Sequence, residues 1–360
     1  MKSALKTQVT TQILKLKYTM KAIVLVKDGR PDTAFEIQEL PKPKAGKGEI
    51  VVKVSHFGLN YADIMARKGL YNDRPPLPCV LGYEVVGTVE EVGESVLGFA
   101  IGDYVVAFTQ FGGYAEYAKT DARGAVRLSP GTDPSVATAL ATQYCTAWFA
   151  ACHMVNLKAG DHVLVHAAAG GVGTALVQIA KSKGCIVFGT ASSAQKLNYL
   201  KAQGVDYPIN YKEKDFEKEI NALLGAKKRL DVVFDPIGGK NFKRSMGLLG
   251  SGGRIVPFGA SDWSASKGGF MDKLKLVFGF GFLHPIGLMM KSKGVIGVNM
   301  LRIGENKAEY LNQCLEEVYA HFQSNTLKPT VDSVWDVADL YKAHQKLEGR
   351  ATIGKVVVKW

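Results

Sequence analysis

One stretch, residues 162–181, constrains the fold of this chain more than any other. It begins with the apolar run His162–Val165, passes through a turn of small residues up to Gly173, and continues with apolar residues at helical spacing. This pattern predicts a strand, a tight loop and a helix in direct succession. Such a loop presents backbone N–H groups and the positive end of a helix dipole, so it predicts a binding site for the phosphates of a nucleotide.

The loop matches the dinucleotide-binding fingerprint G-x-G-x-x-G in two of its three glycines. The fingerprint positions are Ala168, Gly170 and Gly173, so alanine stands where the first glycine usually lies. We expect Gly171 and Val172 to add backbone N–H groups from the first helical turn. Small residues would also serve the close packing of a helix on a strand, and the motif by itself leaves this alternative open.

A second strand, predicted at 185–189, indicates which nucleotide is preferred. In NAD-binding units a carboxylate ~20 residues after the loop hydrogen-bonds the adenosine ribose and repels a 2′-phosphate. The segment 189–196 contains hydroxyls, among them Ser192, and ends in Lys196, but it has no acid. This pattern favours NADPH, whose 2′-phosphate would lie beside Lys196. The alternative is that Lys196 is a solvated lysine on a helix surface.

The composition is typical of a globular chain. Its 360 residues, 47% of them hydrophobic, are enough for two domains with separate cores. The five cysteines are scattered without zinc-ligand spacing, so we expect mostly buried thiols in a reducing, cytoplasmic compartment. The net charge of +12 attracts anions, but a basic balance alone does not indicate nucleic acid, and we expect no nucleic-acid partner.

Two segments are candidates for membrane contact. Residues 1–19 lack the apolar core of a secretory signal and are interpreted as an N-terminal extension, with a basic amphipathic helix or a transit-like segment as the alternative. The apolar run Leu274–Met290 is interrupted by charge, glycine and proline, and is shorter than the ~20 uninterrupted residues of a spanning helix. We interpret it as part of an apolar insertion, 262–294, that packs at a pocket or subunit interface. Weak membrane contact through 274–290 is the alternative.

The pattern of predicted elements changes along the chain. The first part consists of short strands, with one predicted at 114–118, separated by Gly, Pro and Asp turns. A helix is predicted over 136–153, and strands and helices alternate from there to about residue 259, which predicts a parallel sheet covered on both faces. Helices at 308–324 and 337–348 and a strand at 355–360 complete the chain.

This arrangement resembles the medium-chain dehydrogenase/reductase superfamily over nearly all of the chain after Met20. The segments Phe57–Tyr71 and Pro76–Glu84 carry most of the likeness. Within the superfamily the chain is similar to the zinc-free, zeta-crystallin-like quinone oxidoreductases. The Gly-Leu-Tyr and Pro-Leu-Pro pieces, the apolar insertion and Val295–Asn299 look closest to the vesicle amine transport protein subgroup.

The resemblance implies an α/β fold with a GroES-like β-rich catalytic domain and a doubly wound Rossmann domain that binds NADPH. The catalytic domain is expected at 20–142 and again at 299–360, and the nucleotide-binding domain at 143–298. Both reactants are expected in a cleft between the domains, beyond the carboxyl ends of the parallel strands. A homodimer formed through the sheet edge of the nucleotide-binding domain is also implied.

The resemblance also bears on metal binding. Zinc-dependent alcohol dehydrogenases have Cys where this chain has Asn60, and His where it has Tyr83, while the cysteines of their structural zinc lobe are missing from 108–125. Because a zinc site needs three or four converging ligands, we expect no metal. Without a Lewis acid, acceptors that form a delocalised anion, such as quinones and α,β-unsaturated carbonyls, are favoured over alcohols.

In related quinone reductases the residues that match Asn60 and Tyr71 line the nicotinamide and substrate cleft. These two are therefore the expected catalytic residues, with Asn60 donating to a developing oxyanion or to the nicotinamide carboxamide. Alternatively, Asn60 is a turn residue after a strand, and Tyr71 covers the core. A structural role explains Asp63 as well as a functional one does, since it is placed to pair with Arg67 on the next helical turn.

Further cofactor contacts are implied by the resemblance alone. Those expected on the nicotinamide side are Asn60, Thr142, Phe258, Gly259 and Asn299. Tyr211 and Arg350 match residues that meet the 2′-phosphate in related reductases, together with the lysine equivalent to Lys196. An ordinary helical threonine remains the alternative for Thr142, and core packing for Phe258.

The sequence therefore predicts an NADPH-dependent, zinc-free oxidoreductase that reduces quinones or related enones. Two other functions stay open. A low-turnover, nucleotide-binding scaffold or membrane-associated transport protein is suggested by the apolar insertion and the basic balance. An alcohol dehydrogenase that uses an unforeseen metal is the second.

Overall fold

The computed structural model describes residues 18–225, 229–262 and 279–360, which form two compact units. The first unit contains the chain up to Ala141 together with Ser333–Arg350 and Val356–Trp360, and the second contains Thr142–Asp332 and Ala351–Lys355. The N-terminal extension up to residue 17 and residues 263–278 of the expected insertion lie outside the described residues.

The first unit is built mainly from strands. Its elements are β1 (Thr19–Leu25), α1 (Pro31–Ala34), β2 (Phe35–Pro41), β3 (Glu49–Leu59), α2 (Tyr61–Arg67), β4 (Cys79–Val80), β5 (Glu84–Val92), β6 (Tyr104–Phe108), β7 (Tyr117–Asp121), β8 (Ala125–Arg127) and α3 (Pro134–Ala139). One sheet has the order β2-β1-β4. In the larger sheet β3 pairs with β5 and β7, and β5 continues to β6 and β8. Apolar side chains of these strands, Phe57 and Val85 among them, form the core.

Antiparallel pairing of β3 and β5 positions the polar residues of this unit. Phe57 lies opposite Val85 in the register, so the end of β3 lies beside the start of β5. Asn60 follows β3 and begins α2, whereas Glu84 is the first residue of β5. Residues far apart in sequence therefore meet because directly opposed positions in an antiparallel pair are close.

The second unit is organised around a parallel sheet. Its elements are α4 (Cys145–Trp148), β9 (His162–Val165), α5 (Gly171–Ser182), β10 (Ile186–Ala191), α6 (Ala194–Ala202), β11 (Tyr207–Asn210), α7 (Phe216–Leu224), β12 (Leu230–Asp235), α8 (Gly239–Leu248), β13 (Leu249–Pro257), α9 (Pro285–Met290), β14 (Gly294–Val295), α10 (Met300–Asn306) and α11 (Ala308–Gln323). The strand order β11-β10-β9-β12-β13-β14 reverses direction between β9 and β12. This is the doubly wound order, in which ligands bind at the reversal point.

The chain ends with β15 (Val331–Asp336), α12 (Leu340–Glu348) and β16 (Lys355–Lys359). Strands β15 and β16 extend the larger antiparallel sheet beside β3. The family resemblance implied a return to the catalytic domain at residue 299, and the second segment of the first compact unit begins at Ser333. Helix α11 belongs to the second unit, where Glu317 accepts a 2.5 Å hydrogen bond from the indole of Trp148.

Two predicted elements differ from those in the structure. The helix expected over 136–153 consists of α3 and α4 alternating with π-helical turns at Leu140–Tyr144 and Phe149–Met154. The strand expected at 114–118 is β7, three residues further on, because Tyr117–Asp121 pairs with β3. Among the residues that the structure describes, no helix is long and apolar enough to cross a membrane.

Candidate cofactor and active site

The loop between β9 and α5 has the geometry of a phosphate cradle. Gly170 is the N-cap of α5 and has no side chain that could cap the helix. It therefore leaves the first-turn N–H groups of Gly171, Val172 and Gly173 uncovered by a capping side chain. A Cβ at Gly173 would lie 2.3 Å from the carbonyl oxygen of Ala167, so only glycine lets the helix pack this closely on the loop. Backbone N–H groups at a helix start bind anions well.

Ala168 has a structural role in this loop. It is fully buried, and its N–H donates a 3.0 Å hydrogen bond to the carbonyl of Thr190 in β10. The side chain therefore fills the space between loop and sheet where the fingerprint usually has its first glycine.

His166 anchors the start of the same loop, and the sequence did not single it out. Its Nδ1 lies 3.1 Å from the Thr190 hydroxyl and its Nε2 lies 2.9 Å from the Ser245 hydroxyl. Complete burial lowers the pKa of His166 to about 3, so the ring is neutral. The histidine thereby ties the end of β9 to β10 and α8.

Three of the residues expected near the 2′-phosphate lie at one end of β10. Ser192 follows this strand, and the N–H of Tyr211 donates to the carbonyl of Ala191, which brings the end of β11 alongside. Lys196 lies in the first turn of α6, and burial lowers its pKa; the Asp332 carboxylate opposes this with a smaller raising effect, and Lys212 lowers the pKa by less again. Two cations beside one carboxylate leave a net positive charge that favours a further anion.

Arg350 belongs to the first unit, whereas Lys196 and Tyr211 belong to the second. Its part in phosphate binding stays a prediction.

Phe258 and Gly259, two of the residues expected near the nicotinamide, lie at the carboxyl end of β13, whereas Asn299 and Thr142 belong to other elements. The N–H of Phe258 donates to the carbonyl of Asp235 at 3.1 Å, and a Cβ at Gly259 would lie 2.9 Å from the carbonyl oxygen of Pro236. Asn299 caps α10 by accepting a 3.1 Å hydrogen bond from the Leu301 N–H. Thr142 lies in the first π turn, where its carbonyl accepts a 2.5 Å hydrogen bond from Thr146.

Asn60 is held firmly in the first unit. Its backbone N–H donates to the Asp63 carboxylate at 2.7 Å, which completes the N-terminus of α2. Its Nδ2 donates to both carboxylate oxygens of Glu84, each at 2.9 Å. Asn60 therefore lies at the turn before α2 with its amide oriented by Glu84, and its part in cofactor binding or catalysis stays a prediction.

Tyr71 and Tyr83 belong to an aromatic cluster of the first unit. The ring of Tyr83 lies 6.3 Å from that of Tyr71, edge to face, and 5.3 Å from that of Phe111. Burial raises the pKa of Tyr83 well above 10, so its phenol stays neutral. Tyr71 is half-buried and packs against the core of the unit, and its part in the reaction stays a prediction.

Arg67 has other partners than Asp63, with which the sequence spacing paired it. The fully buried guanidinium makes an ion pair with Glu348 in α12 and donates a 2.7 Å hydrogen bond to the carbonyl of Gly29. Asp63 instead serves as the capping carboxylate of α2.

Comparison with known proteins identifies the family. Residues 46–132 match the alcohol dehydrogenase GroES-like domain, and residues 171–316 match a zinc-binding dehydrogenase domain. The synaptic vesicle membrane protein VAT-1 homolog of Danio rerio is 31% identical over 343 residues, covering 95% of this chain and 70% of the relative. The chain belongs to the medium-chain dehydrogenase/reductase superfamily.

Solved structures of other medium-chain dehydrogenases/reductases share the fold. The NADPH complex of a mycobacterial protein is 30% identical, with a TM-score of 0.82 over 95% of this chain and 100% of that chain. The NADPH complex of Escherichia coli quinone oxidoreductase is 29% identical, with a TM-score of 0.82 over 94% of this chain and 100% of that chain. The predicted fold class and superfamily are confirmed.

Some medium-chain dehydrogenases/reductases bind zinc, as the name of one matched domain says, but the residues of this member do not fit that ion. The amide nitrogen of Asn60 donates to Glu84, and the phenol of Tyr83 is neutral. Neither group is a zinc donor in that state. Within 18–225, 229–262 and 279–360 no three or more His, Cys, Asp or Glu side chains converge to hold a metal.

Proposed function

We propose that this medium-chain dehydrogenase/reductase binds NADPH in its second unit and reduces quinones or related α,β-unsaturated carbonyls without zinc. The glycine-lined phosphate cradle at the start of α5, with half-buried Lys196 in place of an acid after β10, carries the proposal. The NADPH complexes of the mycobacterial and Escherichia coli relatives support it.

The loop residues bind the diphosphate of the cofactor in this proposal. The N–H groups of Gly171, Val172 and Gly173 donate to its oxygens at the positive end of the α5 dipole. Gly173 keeps the cradle open because a side chain there would collide with the backbone of Ala167.

Lys196, Ser192 and Tyr211 recognise the 2′-phosphate in this proposal. The Lys196 ammonium is partly desolvated and has one carboxylate, Asp332, and a second cation, Lys212, close by, so the net positive charge at this point attracts a phosphate. NADH lacks that phosphate and gains nothing from this attraction, which makes it the poorer substrate.

NADPH, when bound, supplies a hydride to the acceptor. The acceptor oxygen then gains negative charge, and a neutral hydroxyl donor stabilises it. We assign this donor role to Tyr71, whose neighbour Tyr83 holds the ring edge to face. Asn60 is assigned the positioning of the nicotinamide carboxamide, because Glu84 fixes the orientation of its amide.

The decisive experiment measures NADPH and NADH oxidation against a panel of quinones and enones. We expect turnover with NADPH in preference to NADH. Lys196→Ala should raise KM for NADPH about tenfold or more, since a charge-assisted hydrogen bond contributes about 1.5–3 kcal/mol. Its kcat and its KM for NADH should change less than about twofold.

Lys201→Ala provides the matched control, because Lys201 lies on the same helix and is exposed. We expect its kinetic constants to match those of the wild type. Absence of turnover with every acceptor would overturn the proposed activity. Equal loss of NADPH and NADH binding in Lys196→Ala would overturn the assignment of the phosphate site.

A second candidate function, reversible association with anionic membranes, is favoured by the segment around α9. Phe280 packs against Phe242 with ring centroids 5.2 Å apart, whereas Phe282 is 97% exposed and Met289 71% exposed. Exposed Lys291 follows α9. Apolar side chains beside cations are typical of surfaces that bind the lipid interface, and VAT-1 relatives are named as vesicle membrane proteins.

Vesicle co-sedimentation tests this candidate. The wild type should sediment with vesicles of phosphatidylserine and phosphatidylcholine and much less with phosphatidylcholine alone. The double substitution Phe282→Ser and Met289→Ser should abolish sedimentation. Leu97 is also exposed but lies far from α9 in sequence, so Leu97→Ser serves as the control and should leave sedimentation unchanged. Equal sedimentation of the wild type and the double variant would rule the candidate out.

A further inference from the structure

Gln143 is a buried polar side chain beside the phosphate cradle, and neither the sequence pattern nor the family resemblance assigns it a role. It lies in the π turn Leu140–Tyr144 and is 7% exposed. Within the described residues, its Oε1 is buried and accepts no hydrogen bond. A buried acceptor without a donor is unfavourable, so such a group calls for an explanation.

The carboxamide of Gln143 packs directly on Gly171, the first residue of α5. A Cβ added to Gly171 would lie 1.8 Å from Oε1, 2.1 Å from Cδ and 2.4 Å from Nε2 of Gln143. The amide group therefore occupies the space that any side chain at position 171 would need. The side chain at position 143 therefore limits the size of the residue that position 171 can hold.

The neighbouring glycines of the cradle are constrained differently. A Cβ at Gly170 would come no closer than 3.3 Å to the carbonyl oxygen of Ala167. A Cβ at Gly173 would lie 2.3 Å from that same oxygen and 2.8 Å from Cα of Ala168, which are backbone atoms that cannot rotate away. Of these three glycines, Gly171 is the one whose neighbour is a side chain.

We propose that Gln143 is a positioning residue of the cofactor site: its carboxamide sets the position of Gly171 and so aims the first-turn N–H groups of α5 at the diphosphate. This proposal rests on NADPH binding as proposed above. Charge-assisted hydrogen bonds depend on short distances, so a displaced first turn binds the diphosphate less tightly.

The test is a double-mutant cycle on the dissociation constant of NADPH, measured by nucleotide fluorescence. Gly171→Ala should raise Kd about tenfold, because the new Cβ and the carboxamide compete for one space. Gln143→Ala removes the support and should raise Kd about threefold. The double variant should return to the Kd of Gln143→Ala, because the truncated side chain makes room for alanine.

Two further variants serve as controls. Gly173→Ala should lose NADPH binding whether or not Gln143 is truncated, because its collision is with backbone. Lys201→Ala, at an exposed position of α6 outside the cradle, should bind NADPH within about twofold of its parent in both backgrounds.

Thermal unfolding in the absence of NADPH separates positioning from folding. A merely structural contact would lower the Tm of Gly171→Ala in parallel with its affinity. We expect an affinity change larger than the Tm change accounts for, with kcat at saturating NADPH preserved and KM raised.

The possible outcomes distinguish the role of Gln143 from the proposed function. Wild-type affinity in Gly171→Ala, or additive losses in the double variant, would overturn the role of Gln143 while leaving the proposed function intact. Failure of the wild type to bind NADPH would overturn the proposed function, and the role of Gln143 with it.

Discussion

His166 and His344 are completely buried, and their surroundings keep both rings neutral. His166 lies between the hydroxyls of Thr190 and Ser245, and its pKa is lowered to about 3. His344 has its Nε2 3.3 Å from the Tyr114 hydroxyl, and burial lowers its pKa well below 6.5. A lone histidine in a sequence gives no sign of such an environment, because the enclosing residues come from distant segments.

The pKa of His166 predicts a loss of stability in mild acid. An unfolded histidine titrates near 6.5, so between about pH 6.5 and pH 3 the unfolded chain binds a proton that the folded chain excludes. The free energy of unfolding therefore falls as the pH drops through this range, by up to about 1.4 kcal/mol per pH unit.

Urea unfolding at pH 7, 6 and 5 checks this prediction. His166→Asn removes the titrating imidazole, so the free energy of unfolding of this variant should decline less steeply with falling pH than that of the wild type. His284→Asn replaces an exposed N-cap histidine with another capping residue and should keep the wild-type slope. Parallel declines for the wild type and His166→Asn would contradict the assignment.

At the scale of elements, α2 and α12 are joined by a charged contact that sequence spacing did not reveal. Arg67 in α2 is fully buried and pairs with Glu348 at the end of α12, which also pairs with Lys68. The i,i+4 spacing of Asp63 and Arg67 suggested a pair within α2 instead. Packing of α12 against α2 decides the partner, because the buried guanidinium must be neutralised.

Glu348→Ala should lower the free energy of unfolding by about 3 kcal/mol, since it leaves a buried guanidinium without its carboxylate. Asp339→Ala breaks the exposed pair with Lys342, also in α12, and should cost less than about 0.5 kcal/mol. Chemical denaturation of both variants measures the difference. Similar small effects would show that Arg67 does not depend on Glu348.

For the whole molecule, the strand order of the parallel sheet determines where a nucleotide can bind. The order reverses between β9 and β12, and the cradle lies at the carboxyl end of β9. Strand β14 forms one edge of this sheet. An edge strand offers unpaired backbone groups to a second chain.

We predict a homodimer formed through this edge, as the family resemblance implies. Light scattering coupled to size-exclusion chromatography should give twice the 39.0 kDa mass of one chain. The dimer should persist at micromolar concentration, because obligate interfaces bury large apolar areas. A mass of one chain at every concentration would contradict it.

Much of the architecture follows from patterns that residues close in sequence create. The strand, loop and helix at 162–181 predicted the cradle, and the alternation after residue 134 predicted the parallel sheet. These inferences needed only local periodicity, turn chemistry and residue type.

Only tertiary structure decided which distant residues meet. The register of β3 on β5 brought Glu84 to Asn60, and a π turn placed Gln143 on Gly171. Helix α11 contacts Trp148 of the second unit through Glu317, a residue 169 positions further along the chain. Such contacts depend on how whole elements pack, and neither hydrophobic periodicity nor a short motif encodes the partner of a buried polar group.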